Sequence, residues 1–253
     1  MLRSTEQKFH HLRHGGPARD AVERDHFMNV LALDTATAAC SVALLCDGTL
    51  RAHRFETMRR GHAEALLPMV ETVMAEADLA YAALDLLAVT VGPGTFTGLR
   101  VGLAAARGLG LAAGLPIAGV TTLEALAWGV TSATRAGRPL AAVLDARRGE
   151  LYMQVFDAAL APLTPPLAVA PETAARMVPP GPLLLVGEGA DLLAAALGER
   201  DGVTVAQTPR LPDAASIAAL AARRAAAGVL PSEPPRPLYL RASGARLPGA
   251  GAG

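Results

Sequence analysis

The chain has 253 residues, 51% of them hydrophobic, and equal numbers of acidic and basic side chains, so its formal charge is zero. That is enough for one large domain or two small ones with real cores, and it leaves no electrostatic footprint for binding nucleic acid unaided. Lys8 is the only lysine, which excludes a Schiff-base or phosphate-gripping lysine from any domain that begins after it.

Residues 1–27 are polar and mixed in charge, contain "HHLRH", and lack the apolar core of a signal peptide. They read as a disordered arm, or as a mis-assigned start with Met28 as the true one. His10 and His14 have the helical spacing of a metal pair, but a solvated tail is the simpler reading. A domain pattern begins at "MNVLALDT". "NVLALD" is a buried strand, and "CSVALLCDGTLRAHRF" is two strands around an Asp47-Gly48 turn. Cys40 and Cys46 share the first of these strands. At ~3.3 Å per residue they lie roughly 20 Å apart, beyond disulfide reach, and they read as small buried hydrophobes in a reducing, cytoplasmic compartment.

"GHAEALLPMVETVMAEA" sets Leu66, Leu67, Val70, Val73, Met74 and Ala77 at helix spacing, with Pro68 near the first turn or at a kink. "LDLLAVTV" is a strand, Gly98 to Ala113 a helix, "LPIAGV" a strand, and "TTLEALAWGV" a helix with Thr122 as a possible N-cap. The order is β-β-β-α-β-α-β-α. Tight turns make the first three strands an antiparallel meander, and the helices between later strands make those parallel. Residues 28–130 are therefore expected to form a mixed five-stranded sheet flanked by helices.

A second unit, 131–243, opens with "LAAVLDARRGELYMQVFD", again two strands and a tight turn. Proline-rich connections, a strand at "LLLVG", a helix near Asp191 to Leu197 and an Ala-rich helix from Asp213 to Ala227 follow. It reads as a degenerate echo of the first, with 244–253 as a flexible tail. The longest weakly polar stretch, Val101 to Val120, contains Arg107, Pro116 and several glycines, a poor membrane span.

Two nucleotide motifs fail on "VGPGTFTGLRVGLAAARGLGLAAGLP". Gly92, Gly94 and Gly98 are spaced one residue too wide for a dinucleotide fingerprint, and no lysine completes a Walker loop. Small residues recur every four positions in two rows, Gly98-Gly102-Ala106-Gly110 and Ala104-Gly108-Ala112. A glycine inside a helix costs about 1 kcal/mol against alanine. Close packing is the natural offset, while the N–H groups of a helix start also suit an anion.

The catalytic inventory is thin. Asp34 ends the first strand and Thr35 follows it, either to bind phosphate or to make a turn. With Gly92, Gly94 and Thr95 they form a candidate degenerate phosphate loop. His62 opens a helix, where capping is the plain role. Asp145, Arg147, Arg148 and Glu150 make a charged hairpin turn, either solvated or, through Arg147 and Arg148, touching a partner or RNA. No nucleophile triad or metal-ligand spacing stands out.

"LALDTATAACSVAL", "HAEALLPMV", "VGPGTFTGLRVGLAAARGL", "LPIAGVTTLEALA", "LDARRGELY" and "PLYLRAS" together resemble the bacterial TsaB (YeaZ) family, in its order, from Leu31 to Ser243. The resemblance implies an actin-like, Hsp70-like and sugar-kinase-like fold of two subdomains. It implies a scaffold role in placing threonylcarbamoyl on N6 of adenosine 37 in tRNAs reading ANN codons. The partner and catalyst there is TsaD, with the ATPase TsaE, and tRNA is met through the complex. ATP or ADP and metal are then expected on the partner subunits and none on the isolated chain. TsaD-type enzymes carry metal-binding histidines after the strand matching "LPIAGV"; here Thr121 to Leu126 read "TTLEAL". The alternatives are a TsaD-like acyltransferase, a metallopeptidase, or a sugar or acetate kinase. The helices 62–77 and 98–113 are the expected partner surface, through His62, Leu66, Met69, Val70, Val73 and Met74 on one and Arg100, Leu103, Ala104, Arg107, Gly108 and Leu111 on the other. The same surface serves a homodimer when the partner is absent.

Overall fold

The computed structural model describes residues 28–230 and 233–241. The readings made for Lys8, His10, His14, the arm 1–27 and the tail 244–253 lie outside the described residues.

Short apolar runs broken by turn residues build the first sheet from β1 (Asn29–Asp34), β2 (Ala39–Cys46), β3 (Thr49–Thr57), β4 (Leu86–Gly92) and β5 (Ile117–Thr121). Asp47 and Gly48 take positive φ of 52° and 74°, as a two-residue hairpin turn demands. The order is β3-β2-β1-β4-β5, with β1 antiparallel to β2 and parallel to β4. This is the mixed five-stranded sheet expected. Cys40 is buried on β2, and burial pushes its thiol up to about 12, so it behaves as a hydrophobe.

On one face of that sheet lie α1 (His62–Glu76) and α2 (Phe96–Ala113), which seal a core with Leu31, Leu33, Val42, Leu44, Leu87 and Val89. Pro68 sits in the second turn of α1, on its exposed side. The other face is covered by α3 (Thr122–Trp128) and, from far along the chain, by α7 (Ala214–Ala226). The N-cap of α3 is Thr121 rather than Thr122. Thr121 accepts the Glu124 N–H at 3.1 Å while Glu124 accepts the Thr121 N–H at 2.9 Å, a complete capping box. Thr122 instead points into the core and is fully buried.

The short helix α4 (Ser132–Arg135) leads to β6 (Leu140–Arg147), β7 (Glu150–Phe156), β8 (Leu167–Val169), α5 (Pro171–Met177), β9 (Leu183–Val186), α6 (Ala190–Leu197) and β10 (Val203–Val205). Read from its far edge, the second sheet runs β8-β7-β6-β9-β10, with the same third-second-first-fourth-fifth order and the same pattern of senses as the first. α3 also closes the inner face of this sheet, and α5 and α6 cover its outer face. The layers are therefore helix, sheet, helix, sheet, helix, the actin-like α/β architecture expected. Residues 233–241 return across β4 and α2 toward the β6–β7 hairpin.

Candidate functional site: a cleft between two repeated loops

In each half, the hairpin at the end of the first strand meets a glycine loop that starts a helix. "VGPG" (Val91 to Gly94) leads into α2, and "VGEG" (Val186 to Gly189) leads into α6. The second loop echoes the first at the same place in the topology, a signal present in the sequence that spacing rules alone pass over. The two loop pairs face each other across an open cleft of about 850 Å³, lined by Ala36 to Ala38, Arg59 to Glu64, Gly94, Thr95, Thr97 and Gly98 on one side, and by Leu144 to Arg147, Tyr152 and Glu188 on the other. Of these, sequence reasoning missed Arg59, Arg60, Tyr152 and Glu188.

Close approach is what the glycines make possible. A Cβ on Gly98 would lie 2.0 Å from the Thr35 carbonyl oxygen, one on Gly94 2.3 Å from that of Ala36, and one on Gly102 2.6 Å from the Thr35 hydroxyl. The second half repeats this, with Gly187 placing a Cβ 2.2 Å from the Val143 carbonyl oxygen. Thr35 donates its hydroxyl to the Gly98 carbonyl at 2.7 Å, Thr95 N–H donates to Ala36 O at 2.7 Å, and the Thr95 hydroxyl accepts the Gly98 N–H at 3.2 Å. The turn that carries Asp34 and Thr35 and the loop that carries Gly94 and Thr95 are thus brought together, and the polar atoms of Asp34, Thr35 and Thr95 are spent on Ala36, Thr90 and Gly98. Gly92 lies beneath the Leu238 carbonyl, 2.7 Å from where its Cβ would be.

Asp34 is fully buried under this turn. Its Oδ1 accepts the Ala36 N–H at 3.1 Å and the Thr90 hydroxyl, and its Oδ2 meets no donor among the described residues. Burial raises its pKa to about 7, with Asp213 adding and the bonds from Thr90 and Ala36 opposing. A folded pKa above the unfolded 3.8 makes the native state favour the acid, so stability present at low pH is lost as pH rises toward 7. Asp34→Asn removes the titration. Its stability advantage over the parent should widen by on the order of 3 kcal/mol between about pH 4 and pH 7.5. Urea unfolding across that range measures it, and a gap that does not change with pH would count against the buried acid.

Across the cleft, the Glu188 carboxyl is pushed up chiefly by burial and also by Asp145, against the pull of Arg147 and Arg210. Arg147 pairs with Asp145 at 2.9 Å, while Arg148 points to solvent at the hairpin tip. His62 is half-buried and bonds the Thr37 carbonyl at 3.0 Å, tying the start of α1 to the β1–β2 turn.

The expected partner surface needs correction. Leu66, Met69, Val70, Val73, Met74 and Leu103 are buried in the chain's own core. The apolar stripe of α1 is wide because it packs against both the β2–β3 side of the sheet and the neighbouring α2. The two rows of small residues also part company. Gly98, Gly102, Ala106 and Gly110 face inward, whereas Ala104, Gly108 and Ala112 are exposed, and nothing lies within 4 Å of a Cβ on Gly108. Leu111 is 88% exposed beside them. Arg100 and Arg107 are exposed but engaged. Arg100 stacks on Phe96 with its guanidinium 3.7 Å from the ring centre, and Arg107 donates to Pro235 O at 2.7 Å.

Comparison with known proteins gives these features a context. The family model for TsaD, tRNA N6-adenosine threonylcarbamoyltransferase, matches residues 55–184. The tRNA threonylcarbamoyladenosine biosynthesis protein TsaB of Escherichia coli K12 is 46% identical over 130 residues, 51% of this chain and 55% of that protein. Its counterpart in Haemophilus influenzae is 42% identical over 125 residues, 49% of this chain and 52% of that one. The chain spans about half the length of these curated relatives. The crystallised YeaZ of Pseudomonas aeruginosa superposes with a TM-score of 0.74 at 31% identity, covering 84% of this chain and 100% of that one.

Proposed function

The chain belongs to the TsaB (YeaZ) family, and on that premise we propose that it is the non-catalytic scaffold subunit of the machinery that places threonylcarbamoyl on N6 of adenosine 37 in tRNAs reading ANN codons. TsaD is the catalytic partner, TsaE the second one, and tRNA is engaged through the complex. ATP, ADP and metal belong to the partner subunits.

The observation that carries this reading is the outer face of α2. Ala104, Gly108 and Ala112 form an exposed row without bulk, flanked by the exposed Leu111. Such a row lets a partner helix approach closely. A partner of similar fold offers its own pair of helices, so four helices meet across a pseudo-two-fold axis. The same face makes a homodimer when the partner is absent. The loop geometry supports a silent cleft: the Ala36 and Gly98 amides are spent on Asp34 Oδ1 and Thr95 Oγ1 nearby in the chain, and the Thr95 and Gly189 amides on the Ala36 and Val143 carbonyls of the facing strand end and strand.

The purified chain, given threonylcarbamoyl-adenylate and tRNA, is expected to yield no modified adenosine. Adding TsaD and TsaE should restore turnover. Modification by the chain alone above a no-enzyme control, with or without chelator, would overturn the scaffold reading in favour of a TsaD-like acyltransferase.

A further inference from the structure

The segment after α7 crosses from one half of the molecule to the other: it runs behind β5, α2 and the glycine loop of the first half and ends on Ala146, Arg147 and Tyr152, which line the cleft in the second. Pro235 packs 2.9 Å from where a Cβ on Gly119 would be, and its carbonyl accepts Arg107. Leu238 N–H donates to Val91 O at 2.7 Å, at the end of β4. The Tyr239 ring lies 5.5 Å from that of Phe96 at the start of α2, and its hydroxyl accepts Arg100 Nε at 3.4 Å. Arg241 then reaches the second half. It donates to Ala146 O at 2.8 Å and Arg147 O at 3.0 Å, pairs with Glu150, and sits over the Tyr152 ring.

The receiving hairpin tip is unusual. Arg147 and Arg148 both have positive φ, 63° and 56°, a conformation that non-glycine residues adopt only when their surroundings hold it. Asp145 Oδ1 takes the Arg147 N–H at 2.7 Å from inside the hairpin. Arg241 takes the adjacent carbonyls from outside it. The prolines at 234, 235 and 237 keep the bridging segment extended and reduce the entropy lost on seating it.

We infer that residues 233–241 are an interdomain clasp: Arg241, seated on the Ala146–Glu150 hairpin, sets the aperture of the cleft and holds the Arg147–Arg148 tip in its left-handed conformation. Arg241 is a positioning residue. Its release frees both walls at once, because the same segment anchors the Gly92–Phe96 loop at its other end.

The test uses the full chain and Arg241→Ala, with Arg241→Lys retaining charge without the two-carbonyl fork. Hydrogen exchange is followed by mass spectrometry. In Arg241→Ala, amides of the 146–150 tip and of the 94–98 loop are expected to exchange at least about tenfold faster, with β1 and β9 unchanged. Arg241→Lys should show the same pattern more weakly. A second readout is the distance between spin labels at exposed Leu67 and Leu192, placed as cysteines in a Cys40→Ala, Cys46→Ala background; its distribution should broaden in Arg241→Ala. Faster exchange at the hairpin tip alone, an equal rise throughout the chain, or an unchanged label distance would overturn the clasp.

Discussion

Gly98→Ala is expected to lower the melting temperature by roughly 6–12 °C. The added Cβ would lie 2.0 Å from Thr35 O and 2.6 Å from Thr95 Oγ1. Neither neighbour can yield cheaply. Thr35 is buried and its turn also orders Asp34, and Thr95 caps the helix whose start Gly98 forms. Relief requires α2 to lift away from the β1–β2 turn, which breaks the Thr35 hydroxyl bond to Gly98 O and the Thr95 N–H bond to Ala36 O. Overpacking and lost buried hydrogen bonds together cost about 3 kcal/mol or more, and about 1 kcal/mol moves the midpoint of a chain this size by roughly 2–4 °C. Gly108→Ala, ten residues on in the same helix, is the control. Nothing lies within 4 Å of its Cβ, so it should gain helix propensity, up to about 1 kcal/mol, and melt higher. Thermal melts by circular dichroism compare the two. A Gly98→Ala protein that melts within about 2 °C of the parent would show that the glycine loop is not there for close packing.

Ala104→Arg and Gly108→Glu are expected to leave the chain folded and to abolish the association with TsaD proposed above. Both positions are exposed on α2, so an added charge is solvated in the free chain and stability should stay within about 1 kcal/mol. Within a close helix–helix contact the same charge is buried without a partner, at a cost of several kcal/mol, and affinity falls by roughly a hundredfold or more. Size exclusion of each variant mixed with TsaD reads the loss, and circular dichroism checks the fold. Leu103→Arg provides the contrast: Leu103 is in the core, so this change should unfold the chain. If both exposed-site variants still co-elute with TsaD, the contact lies on another face.

Local chemistry alone determined much of this protein. Alternating turn residues and apolar runs set the order of strands and helices through α3, and the Asp47-Gly48 turn made β2 and β3 antiparallel. Helix spacing marked Leu66, Val70, Val73 and Met74 of α1 as its apolar stripe, though Leu67, read with them, is exposed, and recurring small residues marked α2 as a helix that something approaches closely. What covers each face was decided by tertiary structure. A period of 3.6 or 2 says which side of an element is apolar and nothing about whether its cover is the chain's own sheet or another molecule, so Leu66, Val70 and Val73 read as an interface and lie in the core. The partner of the glycine row is Thr35, 63 residues earlier, and no local rule joins them. α7 comes back from the second half of the chain to cover the first sheet, and Arg241 crosses to a hairpin 95 residues before it. The proton on Asp34 has the same origin. A carboxyl titrates near 4 in any exposed strand end, and only the layers closed over this one by distant segments remove the water that would hold it ionised.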